Sequence, residues 1–400
     1  MKFLEKVFCR VYQGAFRLVT PFLPWRKPIL IEGGIDALPA FIKSKSINNI
    51  LLITDKGISS LGLINPLLDG LSKADIKCEV YDKTVPNPTI DNIEEALVIY
   101  NNLKCQAIIA FGGGSAMDCS KGVGARIARP NKPVQKMKGV LKVLKRLPPI
   151  FAIPTTSGTG SEATIAAVIT NSKTHQKYAI NDPALIPRYA VLDPTITYKL
   201  PPHITSTTGI DALTHAVEAY IGHSNTRETR SMARDAVKLI FQNLKIAYDK
   251  GSDLTARKNM QLAAYYAGIA FTRAYVGYVH AVAHTLGGFY GTPHGLANAV
   301  ILTYFLEEYG STCWKPLAEL ADLIGISKEG ESIEVKANKF IQAIKDLNAS
   351  MNIPSKLDCI KADDIPLMAK RANSEGNPLY PVPKEMNTAE LAAMYSKISK

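Results

Sequence analysis

Cys105–Lys121 reads CQAIIAFGGGSAMDCSK, and the folding of this stretch decides the architecture of the first half of the chain. An apolar, β-branched run through Phe111 ends at three glycines, and a helical pattern begins at Ser115. A strand that turns through glycines into a helix is the opening of a crossover unit. Comparable apolar runs occur in NILLITDKG (49–57), KCEVYD (77–82), PIFAIPTTSGTGSE (149–162) and YAVLDPTI (189–196), with helical spacing between them. Strands that alternate with helices predict a parallel, Rossmann-like sheet.

After the proline-rich KLPPH (199–203) the strand signals fade. DALTHAVEAYI, ARDAVKLIFQNLKIAYD, ARKNMQLAAYYAGIAF, KPLAELADLIG and VKANKFIQAIKDLN all carry helical spacing. Four hundred residues exceed what one core usually serves. The expected organisation is an N-terminal extension (1–23), an α/β nucleotide-binding domain (24–199) and an all-α C-terminal domain (200–400).

With 46% hydrophobic and 20% charged residues, the composition is that of a folded globular protein and argues against disorder. No run is long and apolar enough for a membrane span. The net charge of +12 raises the possibility of nucleic acid, with RPNKPVQKMKGVLKVLKRLPP (129–149) as its best support. No aromatic residue interleaves those lysines and no nucleic-acid motif is present, so no nucleic-acid partner is expected. Six cysteines without a CxxC pair read as reduced cytoplasmic thiols. At the N-terminus no cleavable leader is expected. Phe3, Leu4, Val7, Phe8 and Val11 share one side of a helix, and Lys2, Lys6, Arg10 and Arg17 the other. Such an arm is expected to pack on the body or a second subunit, with peripheral membrane contact through residues 1–20 as the alternative.

In an open parallel sheet, ligands collect beyond the carboxyl ends of the strands. Phe111–Lys121 offers glycines and a helix N-terminus to a pyrophosphate, although Met117 stands where the third glycine of a GxGxxG fingerprint would be. Pro154–Glu162 adds a second glycine- and hydroxyl-rich turn. Asp55 ends a strand where a carboxylate can bond ribose hydroxyls and repel a 2′-phosphate. In the helical half, Asp211 and His215 stand four apart, as do His280 and His284, and His294 follows in the turn TPHG. Two helical pairs and a turn residue point to a metal site, with His280 and His284 interchangeable by spacing alone.

GGGSAMDCSK, PTTSGTGSE, GIDALTHAVEAY, GYVHAVAHTLGGFYGTPHGLANA and VPNPTI (85–90), in order and in register, resemble the iron-containing (group III) alcohol dehydrogenases. The resemblance implies a homodimeric, NAD-linked oxidoreductase that binds the oxygen of an alcohol, aldehyde or hydroxy acid on a divalent metal in an interdomain cleft. Iron is the expected metal, with zinc possible, and NAD the expected nucleotide, with NADP possible. By the same resemblance Asp211, His215, His280 and His294 are the metal ligands and His284 is the non-ligand histidine, a proton-relay candidate. Gly113, Gly114, Ser115, Asp118, Thr155, Thr156, Thr159 and Lys177 fall on cofactor contacts, Asp55 on the ribose-binding aspartate and Phe271 on the substrate pocket. Arg273 departs from the family pattern; it either binds an anionic substrate group or, as favoured here, pairs with an acid such as Glu375. The rival readings are a dehydroquinate synthase-like cyclase, a metallohydrolase without nucleotide, and a non-enzymatic basic binding protein.

Overall fold

The computed structural model describes residues 3–19, 22–23, 25–173 and 176–400. Lys2 of the amphipathic reading and Pro24, the first residue of the expected α/β domain, lie outside them, as does the side chain of Phe3. The chain divides into two compact units, Pro24–Leu200 and the combination of Met1–Leu23 with Pro201–Lys400.

The first helix, α1 (Phe3–Val19), therefore belongs with the helical unit. It packs on the body, one of the expected arrangements, and does so through its polar side. Cys9 and Gln13 are buried against the body, whereas Leu4, Phe8 and Val11 of the apolar stripe are exposed.

In the α/β unit the strands are β1 (Ile29–Leu30), β2 (Asn49–Ile53), β3 (Lys77–Tyr81), β4 (Ala107–Gly112), β5 (Gly139–Val140), β6 (Ile150–Pro154), β7 (Ala166–Asn171), β8 (Gln176–Asn181) and β9 (Tyr189–Ala190). Its helices are α2 (Gly34–Ser44), α3 (Lys56–Ser60), α4 (Asn65–Lys73), α5 (Ile90–Asn102) and α6 (Gly114–Ala128). Six strands form one parallel sheet in the order β1-β9-β6-β4-β2-β3. Every residue of β4 is buried, with Ile108 and Ala110 in the core on one face and Ala107, Ile109 and Phe111 in the core on the other. A continuous apolar run without alternation is what burial on both faces demands.

The chain leaves β2 for β3 on one side, and after β4 it continues to β6 on the other. The crevice between the carboxyl ends of β2 and β4 is therefore a topological switch point. Helix α6 starts at Gly114 with Gly113 as its cap, one residue before the expected Ser115. A second, three-stranded sheet in the order β5-β8-β7, with β7 and β8 antiparallel, was not anticipated from the sequence.

The helical unit continues with α7 (Pro202–Ile221), α8 (Arg227–Asp249), α9 (Leu254–Ala274), α10 (Tyr278–Tyr290), α11 (His294–Tyr309), α12 (Trp314–Leu323), α13 (Ile333–Ser350), α14 (Ile365–Gly376) and α15 (Thr388–Ile398). Every residue of α7 from Gly209 to Ile221 is buried, so it is the central helix of the unit. A helix buried on all sides makes its few charged residues informative, because each needs a partner. No described helix is long and apolar enough to cross a membrane.

Candidate metal centre and nucleotide crevice

Helix α7 carries Asp211, His215 and Glu218 at positions i, i+4 and i+7 of one buried stripe. His280 is the third residue of α10, and His294 is the first residue of α11, not the loop residue expected from TPHG. One ligand atom from each of Asp211, His215, His280 and His294 lies within 4.8 Å of the others. His294 Nε2 and His280 Nε2 are 3.6 and 3.9 Å from Asp211 Oδ1. The His215 ring is stacked between Phe271 at 4.2 Å and His280 at 4.4 Å, centroid to centroid.

Two glycines make this convergence possible. A Cβ at Gly295 would stand 2.6 Å from the Thr207 carbonyl oxygen, so only glycine lets the start of α11 approach α7 this closely. A Cβ at Gly277 would stand 2.6 Å from Glu218 Oε1. Glu218, absent from the sequence-level candidates, thereby reaches the N-terminus of α10. Its Oε1 accepts from Val279 N at 3.0 Å, and its Oε2 meets His280 Nδ1 at 2.5 Å. Burial pushes the Glu218 carboxyl up to about 8, while the backbone N–H groups of Gly277, Val279 and His280 pull it the other way. Burial also holds His280 well below the usual imidazole range, helped by the imidazoles of His215, His294 and His284. His280 is thus a neutral ring with one nitrogen engaged and the other aimed at the cluster.

Asn298, one turn after His294, was also missed. Its Nδ2 donates to Asp211 Oδ1 at 2.6 Å and stands 3.2 and 3.1 Å from Nε2 of His280 and His294. Its Oδ1 is buried with no hydrogen-bond partner. A carboxylate and two imidazole lone pairs therefore converge on one donor group. One carboxylate and three imidazoles, largely buried and within chelating distance, fit a divalent cation such as iron or zinc.

Spacing left His280 and His284 interchangeable; the geometry separates them. His284 Nδ1 meets Glu375 Oε1 at 2.6 Å, and the Tyr380 hydroxyl donates to the same oxygen at 2.9 Å. The His284 ring stacks on His294 at 5.2 Å between centroids.

Glu375 is accordingly not the partner of Arg273. Arg273 Nη1 pairs with Glu228, at the start of α8. Arg273 and His280 do not share a helix, because α9 ends before Tyr275 and α10 begins at Tyr278. Tyr275 holds φ 64° and ψ 178°, a conformation nearly reserved for glycine and costing about 1–3 kcal/mol.

In the α/β unit, the glycine turn after β4 and the threonine turn after β6 are neighbours. Thr155 N donates to Gly112 O at 3.1 Å. A Cβ at Gly114 would meet Thr159 Cγ2 at 3.0 Å, and one at Gly113 would meet Thr156 Oγ1 at 3.5 Å. Asn87 of VPNPTI donates its N–H to Ser115 Oγ at 3.3 Å, and Lys177 Nζ donates to Asn87 Oδ1 at 2.8 Å. Asp118 is turned inward, accepting from Ser161 Oγ and Val168 N at 3.1 Å each. Asp55 caps α3 by accepting from Ile58 N at 3.0 Å, at the β2 side of the switch point. The residues proposed from sequence for the nucleotide thus gather near the carboxyl ends of β2, β4 and β6, with Asp118 hydrogen-bonded inward beside them.

Two family models match the chain, iron-containing alcohol dehydrogenase over residues 27–194 and the C-terminal Fe-containing alcohol dehydrogenase family over residues 205–399. The chain is 38% identical over 349 residues to 1,3-propanediol dehydrogenase of Klebsiella pneumoniae, covering 86% of this chain and 90% of that one. Its structure is similar to that of an alcohol dehydrogenase from Oenococcus oeni, with a TM-score of 0.90 at 34% identity over 94% of this chain and 100% of that one. It is also similar to sulfoacetaldehyde reductase from Bifidobacterium kashiwanohense in complex with NAD+, with a TM-score of 0.83 at 28% identity over 94% of this chain and 99% of that one. A metallohydrolase or a non-enzymatic basic protein is incompatible with these matches. The chain belongs to the iron-containing alcohol dehydrogenase family, the metal-dependent, NAD-linked oxidoreductases that act on alcohols.

Proposed function

We propose that Asp211, His215, His280 and His294 hold a divalent ion, iron or zinc, and that the protein interconverts small uncharged alcohols and aldehydes with NAD. The observation that carries this reading is the approach of the four ligand atoms to within 4.8 Å of one another. When bound, the ion supplies Lewis-acid polarisation of the substrate oxygen and NAD supplies the hydride acceptor. Glu218 fixes the ring of His280 through Nδ1, so its Nε2 faces the cluster. His284 takes the hydroxyl proton at Nε2, and Glu375, bonded to Nδ1 and braced by Tyr380, stabilises the imidazolium that results. Phe271, stacked on His215, is the apolar wall for the carbinol carbon.

The pairing of Arg273 with Glu228 supports uncharged substrates, because the arginine already has its carboxylate. Small alcohols of the propanediol type, as in the Klebsiella pneumoniae relative's name, fit this better than anionic aldehydes. Gly113, Gly114, Ser115, Thr155, Thr156, Thr159 and Lys177 bind the nucleotide in this reading, and Asp55 sets the preference for NAD over NADP. A cytoplasmic homodimer is the proposed form. Elemental analysis of purified protein, coupled to NAD- and NADP-linked turnover over alcohols, diols, aldehydes and hydroxy acids, tests the proposal. Stoichiometric metal with NAD-linked oxidation of neutral alcohols is expected. Turnover without metal, or turnover confined to anionic substrates, overturns it.

A further inference from the structure

Helix α1 is amphipathic, yet it is the polar face that meets the body. Gln13 Nε2 donates to the carbonyls of Tyr380 at 2.9 Å and Pro378 at 3.2 Å. Arg10 donates to the carbonyls of Val382 at 2.9 Å and Pro383 at 3.1 Å and pairs with Glu385. With its polar side tied down, the helix turns Leu4, Phe8, Val11 and Leu18 outward, exposed at 78%, 61%, 66% and 74%. Helical spacing gathers these four and Val7 within a narrow arc. A contiguous apolar stripe on an outer helix marks an interaction surface.

The charge at the C-terminal end of the same helix indicates what covers it. Arg17, near the end of α1, joins Arg227, Arg230 and Arg234 in lining an open cleft. The last three stand at i, i+3 and i+7 on α8 and so share one face at its N-terminal end, where the helix dipole adds positive potential. Glu319 pairs with Arg230, whereas Arg17 donates to the His223 carbonyl at 3.4 Å and Arg234 to the Tyr220 hydroxyl at 3.5 Å, neither of them acidic.

We propose that this face docks on an anionic lipid bilayer, with the stripe of α1 entering among the acyl chains and the arginine cleft binding headgroup phosphates. A second copy is the poorer occupant. An isologous contact through α1 presents the same apolar stripe and the same basic cleft from the copy, and so brings no anion to the arginines.

The test is co-sedimentation of the full-length protein with vesicles of phosphatidylcholine alone and of phosphatidylcholine mixed with phosphatidylglycerol. Binding to the mixed vesicles is expected to be stronger by on the order of a hundredfold, at about fivefold for each of Arg17, Arg227 and Arg234, and to weaken with salt. F8S/V11S is expected to abolish binding while NAD-linked turnover is kept, and R227E/R234E to erase the preference for the anionic vesicles. Equal or absent binding to both vesicle types overturns the proposal. So does sedimentation velocity that shows an assembly which F8S/V11S splits, since a second copy then covers the stripe.

Discussion

At the scale of single residues, the centre is set by which partner each histidine nitrogen has. His280 meets Glu218 and His284 meets Glu375, two imidazole–carboxylate pairs one helical turn apart. Only the first pair belongs to a ring within the four-residue cluster. His294→Ala is therefore expected to lose metal and turnover together, whereas His284→Ala keeps the metal and loses rate by on the order of 10²–10⁴-fold, the usual range for a positioned acid–base group. Metal content beside kcat checks this, and metal-free H294A protein with full activity contradicts it. Glu218→Ala acts one step further out. It removes the group that orients His280 and caps α10, so metal affinity is expected to fall about 10–100-fold. Titration with a chromogenic chelator reads that change, and unchanged affinity would show that Glu218 serves only the helix end. In the sequence Glu218 looks like an ordinary helical surface charge. What marks it is its place seven residues after Asp211 and three after His215, with Val217 and Ala219 on either side.

At the scale of elements, the site depends on close approaches that only glycine allows. Gly295 faces backbone of α7, which cannot move aside as a flexible side chain can. Gly295→Ala is expected to displace the start of α11 and with it His294, with a cost of about 1–3 kcal/mol in stability and a loss of bound metal. Calorimetry with metal analysis tests it, and an alanine variant that melts and binds like the parent refutes it. The α/β unit offers a separate pH test. Lys121 of α6 is buried and donates to Ser161 Oγ, Thr164 O, Thr164 Oγ1 and Ala166 O at 2.8–3.0 Å. Burial lowers it to about 8, and burial raises nearby Glu162 to about 7 from 4.5. Because the folded Glu162 holds its proton more tightly than the unfolded one, its contribution is complete below pH 4.5 and disappears as pH rises through about 7. The loss is on the order of 3 kcal/mol. Glu162→Gln is expected to flatten that decline in urea midpoints, and an unchanged slope would assign it to another group. β2, β4, β6 and β9 were legible because burial on both faces writes continuous apolar runs, whereas the short, exposed edge strand β1 was not anticipated. The β7–β8 hairpin was not, because its residues alternate more weakly and no tight-turn dipeptide separates them. The inverted seat of α1 was also hidden, since periodicity reveals a stripe but not which side of the helix meets the body.

At the scale of the whole molecule, the division near residue 200 follows from a change of period, from short apolar runs to helical spacing, and that change is visible in the chain. The four clustered side chains could be picked out in the sequence too, although their convergence depends on three helices, α7, α10 and α11, whose packing no local pattern encodes. A metal bound there cross-links the middle of the helical unit, while the α/β unit carries none of the four ligands. Metal removal is therefore expected to act on one unit. With free metal at a thousand times its dissociation constant, binding stabilises the helical unit by about 4 kcal/mol. For a unit of about 200 residues that corresponds to a fall in Tm on the order of 10 °C on chelation. Scanning calorimetry of the intact protein, before and after dialysis against a chelator, should show one component shifting and a second holding its place. Readdition of Zn2+ or Fe2+ should restore the first. H294A, which lacks one ligand, should already melt at the lower temperature and respond little to either treatment. A uniform shift of the whole transition would mean that the two units unfold as one, and no shift at all would remove the metal from the stability of this fold.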